Sequence, residues 1–188
     1  YRGIVCDRCG VEVTRKNVRR ERLGHITLAV PVVHIWFLKS IPSKLSYLLG
    51  YTTKQLESIT YYEKYVVINA GDSGFEIGDL LEENEYIDAD DQFGIDTVSE
   101  EKKDNDEYFI AYMGGRGILE LLKNLEIENL INELSAVVKD PKISASKTEG
   151  ALKRLRVLKN FDSRIEKELI NKPEWMIINI LPVIPPEL

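Results

Sequence analysis

The most constraining feature of the chain is a pair of cysteines close to its first residue. Cys6 and Cys9 are separated by two residues and followed by Gly10, a C-x-x-C-G pattern that can place two thiolates on one edge of a tetrahedral metal site. The glycine allows backbone amides to turn toward the sulfur atoms. The 188 residues contain no further cysteine, and the chain does not begin with methionine. Because structural zinc takes four ligands, either two ligands lie before Tyr1 in a longer protein or the pair is not a metal site.

Composition predicts one domain, or one domain with an appendage, in a reducing compartment. Hydrophobic residues make up 44% of the chain, enough for a core, and neither a signal peptide nor a membrane span is recognisable. The net charge of -6 argues against a stand-alone nucleic-acid-binding protein. Five basic residues nevertheless cluster after the cysteine pair: Arg15, Lys16, Arg19, Arg20 and Arg22. They are either a solvated charge run, paired locally with Glu21, or contacts for phosphates or another protein surface.

Three apolar segments predict the strands of one small central sheet: residues 25–38, 61–69 and 175–181. Pro31 predicts a bend or a sheet edge within the first, because proline cannot donate to the ladder. The last is almost continuously apolar, which predicts that both of its faces are buried. Trp36, Phe37 and Trp175 lie in these runs, so we expect them to pack in the core rather than to stack on bases.

Helix signals separate and follow these strands. Ser43 is a suitable N-cap for a short helix that ends at Gly50, and Thr52 or Thr53 begins another. Residues 80–93 predict an acidic helix, and residues 94–112 predict a flexible loop.

Two longer amphipathic helices within residues 115–171 predict a projecting antiparallel hairpin. The first ends at Asp140, and the second begins near Ser146 with a capping box to Glu149. The predicted fold class is therefore α+β, with a small, mostly antiparallel sheet flanked by helices.

Four stretches of the chain resemble the N-terminal clamp region of the β′ subunit of bacterial DNA-directed RNA polymerase. They are residues 3–14, 19–26, 34–43 and 172–188, and they follow the order of that family. The resemblance is strong over residues 1–72 and 171–188. The hairpin matches in pattern more than in letters, and the 94–112 loop is longer than is usual for the family.

The resemblance implies a zinc ribbon in which a C-x-C pair before Tyr1 joins Cys6 and Cys9. Residues 1–22 would then be the second half of this ribbon with a basic connector, and residues 23–188 the clamp body. The catalytic Mg²⁺ of this nucleotidyltransferase would lie elsewhere in the subunit, so the chain is expected to be non-catalytic by itself. The implied partners are the β, α and ω subunits, a sigma factor, template DNA and nascent RNA, in the bacterial cytoplasm and nucleoid.

Two other classes of function compete with this interpretation. A self-contained acidic α+β protein-binding module could also carry a C-x-x-C metal knuckle, the turn that contains Cys6 and Cys9. A small zinc hydrolase could use Cys6, Cys9 and either His25 or His34, but no carboxylate base accompanies them, and both histidines are better explained by structural hydrogen bonds. Asp90 and Asp91 are adjacent and point to different sides of a helix, which disfavours acid–base chemistry.

Overall fold

The computed structural model describes residues 2–94, 108–140, 143–162, 164 and 171–185. The chain divides into two units: unit 1 is Tyr1–Ala29 with Asn179–Leu188, and unit 2 is Val30–Ile178. No helix within the described ranges has the length and hydropathy needed to cross a membrane.

The described elements give an α+β fold, as the sequence predicts, with two small antiparallel sheets. The helices are α1 Val18–Glu21, α2 Ile35–Leu38, α3 Lys44–Leu49, α4 Thr53–Thr60, α5 Glu83–Phe93, α6 Gly114–Lys123, α7 Ile127–Lys139 and α8 Ala145–Leu158. The strands are β1 Gly24–Val33, β2 Tyr65–Asn69, β3 Leu80–Leu81, β4 Ile110–Tyr112 and β5 Ile177–Val183, and a 3-10 helix spans Pro173–Met176.

Unit 2 is built around a three-stranded sheet in the order β3-β2-β4. Tyr65 pairs with Leu81 and Val67 with Ala111, and a register shift follows Val67. The larger hydrophobic cluster joins β2 to the helices, with fully enclosed side chains at Leu45, Leu48, Leu56, Ile59, Val66, Ile118 and Leu158. A smaller cluster gathers around Phe109. These clusters give the unit a core of its own.

Local capping signals fix the start and end of α3 and α4. The Ser43 hydroxyl oxygen accepts the Ser46 N–H at 3.3 Å, and Gly50 ends α3 in the left-handed region at φ 83°. Thr52 and Gln55 form a complete capping box at the start of α4. Both predicted helices are confirmed, because their boundaries depend on short-range hydrogen bonds that the sequence specifies directly.

One long-range contact ties α8 to the end of α3. The half-buried Arg154 donates from Nε to the Tyr47 carbonyl at 2.7 Å and from Nη2 to the Leu48 carbonyl at 3.1 Å. These carbonyls belong to the last turn of α3, where the helix cannot satisfy them itself. Burial lowers the pKa of Arg154, and the carboxylate of Glu133 acts in the opposite direction.

The prediction of one central sheet is wrong. β1 pairs with β5, whereas β2 lies in the other sheet with β3 and β4. The strand predicted over residues 25–38 ends at Val33, because His34 begins a helix: its Nδ1 accepts the Trp36 N–H at 3.2 Å. Pro31 lies inside β1 without ending it, and both strands of a two-stranded sheet are edges, which is where proline is tolerated.

The predicted burial of the tryptophans is also wrong. Trp36 is 76% exposed on α2 and Trp175 is 57% exposed on the 3-10 helix, whereas Phe37 packs against the larger cluster. β5 is mostly exposed rather than buried on both faces, and Pro182 lies within it. The short helices at 35–38 and 173–176 bury Leu38 in the first and Pro173 and Met176 in the second, and leave their tryptophans exposed.

Several predicted helix boundaries need correction. Leu80 and Leu81 form β3, so α5 begins at Glu83. The first long helix is two helices, α6 and α7, interrupted at residues 124–126. α8 begins after Ser144, and Glu149 pairs with Lys153 at 2.7 Å instead of capping Ser146.

The limits of the predicted hairpin and loop are tested only in part. α7 and α8 pack against each other, as a helical hairpin requires, and α8 ends at Leu158. Residues 165–170, assigned from the sequence to the second helix, lie outside the described residues. The same holds for residues 95–107 of the predicted loop, whereas residues 110–112 form β4.

Candidate metal centre

The two cysteines lie at the tip of a short antiparallel hairpin in unit 1. Val5 and Glu12 form its bridge, and hydrogen bonds join Val13 N–H to the Ile4 carbonyl at 2.9 Å and Cys6 N–H to the Val11 carbonyl at 2.9 Å. The Gly10 N–H donates to the Cys6 carbonyl at 2.8 Å, which closes the turn that carries both thiols. The C-x-x-C spacing therefore brings the two cysteines onto one turn.

Gly10 is required by the backbone of this turn rather than by crowding. Its φ is +69°, in the left-handed region, and a Cβ added there would meet no atom within 4 Å. Any L side chain would be strained at this φ, whereas glycine adopts it freely. The glycine after the second cysteine is thus part of the knuckle's geometry.

The turn favours the thiolate form of Cys6. Backbone N–H groups of Arg8 and Cys9, followed by the Cys9 side chain, lower the pKa of the Cys6 thiol, while burial has only a small opposing effect. Thiolate is the form that binds metal, and hydrogen bonds from amides stabilise it. Both thiols are exposed and neither is in a disulfide.

The hairpin fits half of a tetrahedral zinc site. Within the described ranges, no group of three or more His, Cys, Asp and Glu side chains could hold a metal ion. His34 belongs to unit 2, where its side chain is the N-cap of α2. The hairpin thus offers two exposed thiols, whereas a closed structural zinc site takes four ligands.

The five basic candidates follow the hairpin and are all exposed. Two of them, Arg19 and Arg20, lie in α1, a single turn at Val18–Glu21, and the others flank it. Arg22 pairs with Glu12 of the hairpin at 3.4 Å between Nη2 and Oε2. Arg22 is therefore held against the hairpin.

Comparison with known proteins identifies the relatives of the whole chain. The family model described as RNA polymerase Rpb1, domain 1, matches residues 1–188. The chain belongs to this family. It is 50% identical over 189 residues to the DNA-directed RNA polymerase subunit beta' of Azobacteroides pseudotrichonymphae. It is 51% identical over 195 residues to that of Bacteroides thetaiotaomicron and 48% identical over 191 residues to that of Salinibacter ruber.

Each of these three alignments covers 100% of this chain and 13% of the relative. The chain therefore spans a small part of the length of the curated relatives it matches. Membership of the polymerase family confirms the resemblance that the sequence motifs indicate.

The carboxylate pair of α5 and two glycines at the start of α6 show no arrangement that indicates a site. Asp90 and Asp91 are exposed on α5. The pair Gly114 and Gly115 serves packing: a Cβ on Gly115 would lie 2.1 Å from the Pro31 carbonyl oxygen, and Gly114 faces the Tyr62 ring at φ +65°. Sequence reasoning missed both close approaches, because the Tyr62 ring and the Pro31 backbone come from distant parts of the chain.

Proposed function

We propose that the chain is a structural part of the DNA clamp in the β′ subunit of bacterial DNA-directed RNA polymerase, which synthesises RNA on a DNA template. The observation that carries the proposal is the family match over residues 1–188, together with about half identity to β′ subunits over the full chain. The chain would be non-catalytic by itself, and the catalytic Mg²⁺ would be held by another part of the subunit.

The packing of unit 2 supports a mechanical role. A clamp has to move as one body, and close-packed interiors deform little. Unit 2 has such an interior, and Arg154 links α8 to α3 across it through two backbone carbonyls. These features suit a part that transmits movement to DNA-holding elements.

The exposed apolar surface of unit 2 supports a place inside a larger assembly. Ile41 is fully exposed, and Trp36 and Trp175 are more than half exposed. Large exposed apolar groups are enriched where proteins contact one another. We propose that polymerase subunits β, α and ω, or a sigma factor, cover part of this surface, with template DNA and nascent RNA near the clamp, in the bacterial cytoplasm.

We propose zinc as the metal of the knuckle, held by Cys6 and Cys9 together with a second cysteine pair before Tyr1. The support is the thiolate-stabilising turn and the C-x-x-C-G spacing. A four-thiolate zinc is structural: it would cross-link the hairpin and supply no reaction chemistry.

Polymerase reconstituted with Cys6→Ser tests the clamp assignment. At low salt, nucleotide addition on a preassembled RNA–DNA scaffold should match wild type, because the proposed zinc is structural and supplies no reaction chemistry. The half-life of the complex at high salt should fall at least about tenfold. Loss of the zinc cross-link is expected to lower the barrier to DNA release by at least about 1.4 kcal/mol, and each such amount is a factor of ten in rate. Asp7→Asn, on the same turn, should change neither quantity. Loss of nucleotide addition with normal retention of DNA would contradict a structural role.

The basic segment is proposed to contact nucleic acid or a neighbouring subunit. In the intact polymerase, Arg15→Gln with Arg20→Gln should reduce the dependence of DNA retention on salt. Each lost phosphate contact lowers the logarithmic salt slope by about 0.9. Lys44→Gln with Lys147→Gln makes the same charge change on exposed residues of unit 2 and should leave the slope unchanged. An unchanged slope in the arginine variant would assign these residues to protein contacts.

A further inference from the structure

A groove of about 340 Å³ opens on unit 2 beside the start of α7. Its apolar lining comes from Leu49, Tyr51, Ile77, Leu121, Leu125 and Leu130. Leu121 is buried and Leu125 and Leu130 are half-buried, so they form a floor continuous with the larger hydrophobic cluster. Ile77, by contrast, is 64% exposed on the connection between β2 and β3. The groove therefore presents apolar surface that unit 2 itself does not cover.

The rim of the groove is negatively charged. Glu126 and Glu133 line it with Asn124 and Asn129, and the described residues that line it include no lysine or arginine. Glu126 is the N-cap of α7, and Glu133 lies seven residues further on, about 10 Å along the helix axis. Arg154 lies close enough to Glu133 to interact with it, but its guanidinium already donates to two α3 carbonyls. The Asn129 side-chain amide donates to Glu126 Oε2 and fixes that carboxylate at the rim.

The walls of the groove are held in place before any partner arrives. The Tyr51 hydroxyl donates to the Gly78 carbonyl, and the Ser46 hydroxyl donates to the Tyr51 carbonyl. These bonds connect the β2–β3 connection to the end of α3. A preformed apolar groove loses less conformational entropy on binding than a surface that has to be ordered first.

We propose that this groove is a docking site for a basic amphipathic protein segment. Aliphatic side chains of the segment would fill the leucine-lined floor, and flanking Lys or Arg side chains would pair with Glu126 and Glu133. Charge complementarity selects this partner: the rim repels phosphates, so it disfavours nucleic acid, and it attracts cations at either end of an apolar patch. The inference concerns the surface of unit 2 and stands independently of the clamp assignment.

Peptide binding to the intact polymerase tests the proposal. The probe is a fluorescent helical peptide of about 18 residues composed of leucine and lysine, long enough to pass both glutamates. One comparison peptide replaces lysine by glutamate, and a second replaces leucine by serine. Fluorescence anisotropy should show saturable binding of the leucine–lysine peptide, weakened at least tenfold by Glu126→Gln with Glu133→Gln. Binding should be unchanged by Glu83→Gln with Asp91→Asn, the same charge change on exposed residues of α5.

The apolar half of the site needs its own variant. Ile77→Ser removes an exposed side chain, so the fold should persist, and it should weaken binding about fivefold. Equal binding by wild-type polymerase and by both groove variants would overturn the proposal. If the peptide with serine in place of leucine bound as tightly as the leucine–lysine peptide, the proposal would be overturned as well, because charge alone would then suffice. The proposal would also be overturned if single-stranded RNA displaced the peptide equally well from wild type and from the glutamine variant.

Discussion

Unit 2 contains every buried side chain among the described residues, whereas none of the described residues of unit 1 is buried. In unit 2, Leu45, Leu56 and Leu158 are fully enclosed. In unit 1, even the apolar Val11 and Ile26 are more than half exposed. The same chain thus contains one region with a hydrophobic core and one region without.

The difference indicates two separate sources of stability. Burial of apolar surface contributes roughly 25 cal/mol per Å² in unit 2. The hairpin of unit 1 has main-chain hydrogen bonds but no core, and an isolated hairpin is marginally stable at best in water. Small regions of this kind are commonly stabilised by a metal. The stability of the hairpin should therefore depend on its cysteines, whereas the stability of unit 2 should not.

The largest expected effect comes from removing a cysteine in the zinc-loaded β′ subunit. Cys9→Ser should abolish zinc binding, whose apparent free energy in small zinc modules is about 10–16 kcal/mol. The amides of Cys6, Gly10 and Val13, which hydrogen-bond within the hairpin, should lose their protection against hydrogen exchange. Asp7→Asn should preserve it. Loss of protection in β2 as well would show that the two units are not independently stabilised.

The core of unit 2 can be tested with two leucines of one helix. Leu158 is fully buried at the end of α8, and Leu152 is 40% exposed on the same helix. Leu158→Ala should lower the free energy of unfolding by about 2–5 kcal/mol, because it leaves a cavity. Leu152→Ala should cost less than about 1 kcal/mol. Denaturant titration followed by circular dichroism measures both, and equal costs would contradict the packing described.

Alanine substitution at two glycines of unit 2 should change the free energy of unfolding in opposite directions. Gly115→Ala would place a methyl group against the Pro31 carbonyl and should destabilise by about 1–3 kcal/mol. Gly150 lies inside α8 with open space around its Cβ position. Gly150→Ala should therefore stabilise by about 0.5–1 kcal/mol, from the higher helix propensity of alanine. The same titration decides the signs, and a stabilising Gly115→Ala would refute the close approach.

A further expected effect is a pH dependence of the stability of unit 2 at its groove. Burial, and then the charge of Asp79, raise the pKa of Tyr51 to about 12 from the ordinary 10. Since the folded state holds this proton more tightly, the contribution to stability is complete below pH 10 and is lost as the pH rises toward 12. Allowing for partial exposure, the loss should be about 1 kcal/mol relative to Tyr51→Phe. If the free energy of unfolding depended on pH identically in wild type and in Tyr51→Phe, this prediction would be contradicted.

Short-range signals predicted the helices of unit 2 better than they predicted which strands of the chain pair. Ser43, Gly50 and Thr52 act within their own helices, so their roles are readable from the sequence. The pairing of β1 with β5 joins segments at opposite ends of the chain, and no local pattern specifies it. The apolar run around Trp36 is ambiguous between strand and helix, and the side chain of His34 decides it.

The same contrast between local and long-range signals applies to the candidate sites. Cys6 and Cys9 are close in sequence and share one turn, so the knuckle was predictable. The groove on unit 2 joins Leu49, Ile77 and Glu133, which are far apart along the chain and carry no shared motif. Only the fold brings them together.

The most direct test of the central claim is the zinc content of two proteins by metal analysis. One is the present chain of 188 residues, and the other extends upstream to include the expected second cysteine pair. The account predicts one tightly bound zinc per extended chain and none in the shorter chain, because Cys6 and Cys9 supply half of the ligands. One tight zinc in the shorter chain would contradict it and would require a self-contained site, with His25 as the first ligand to examine.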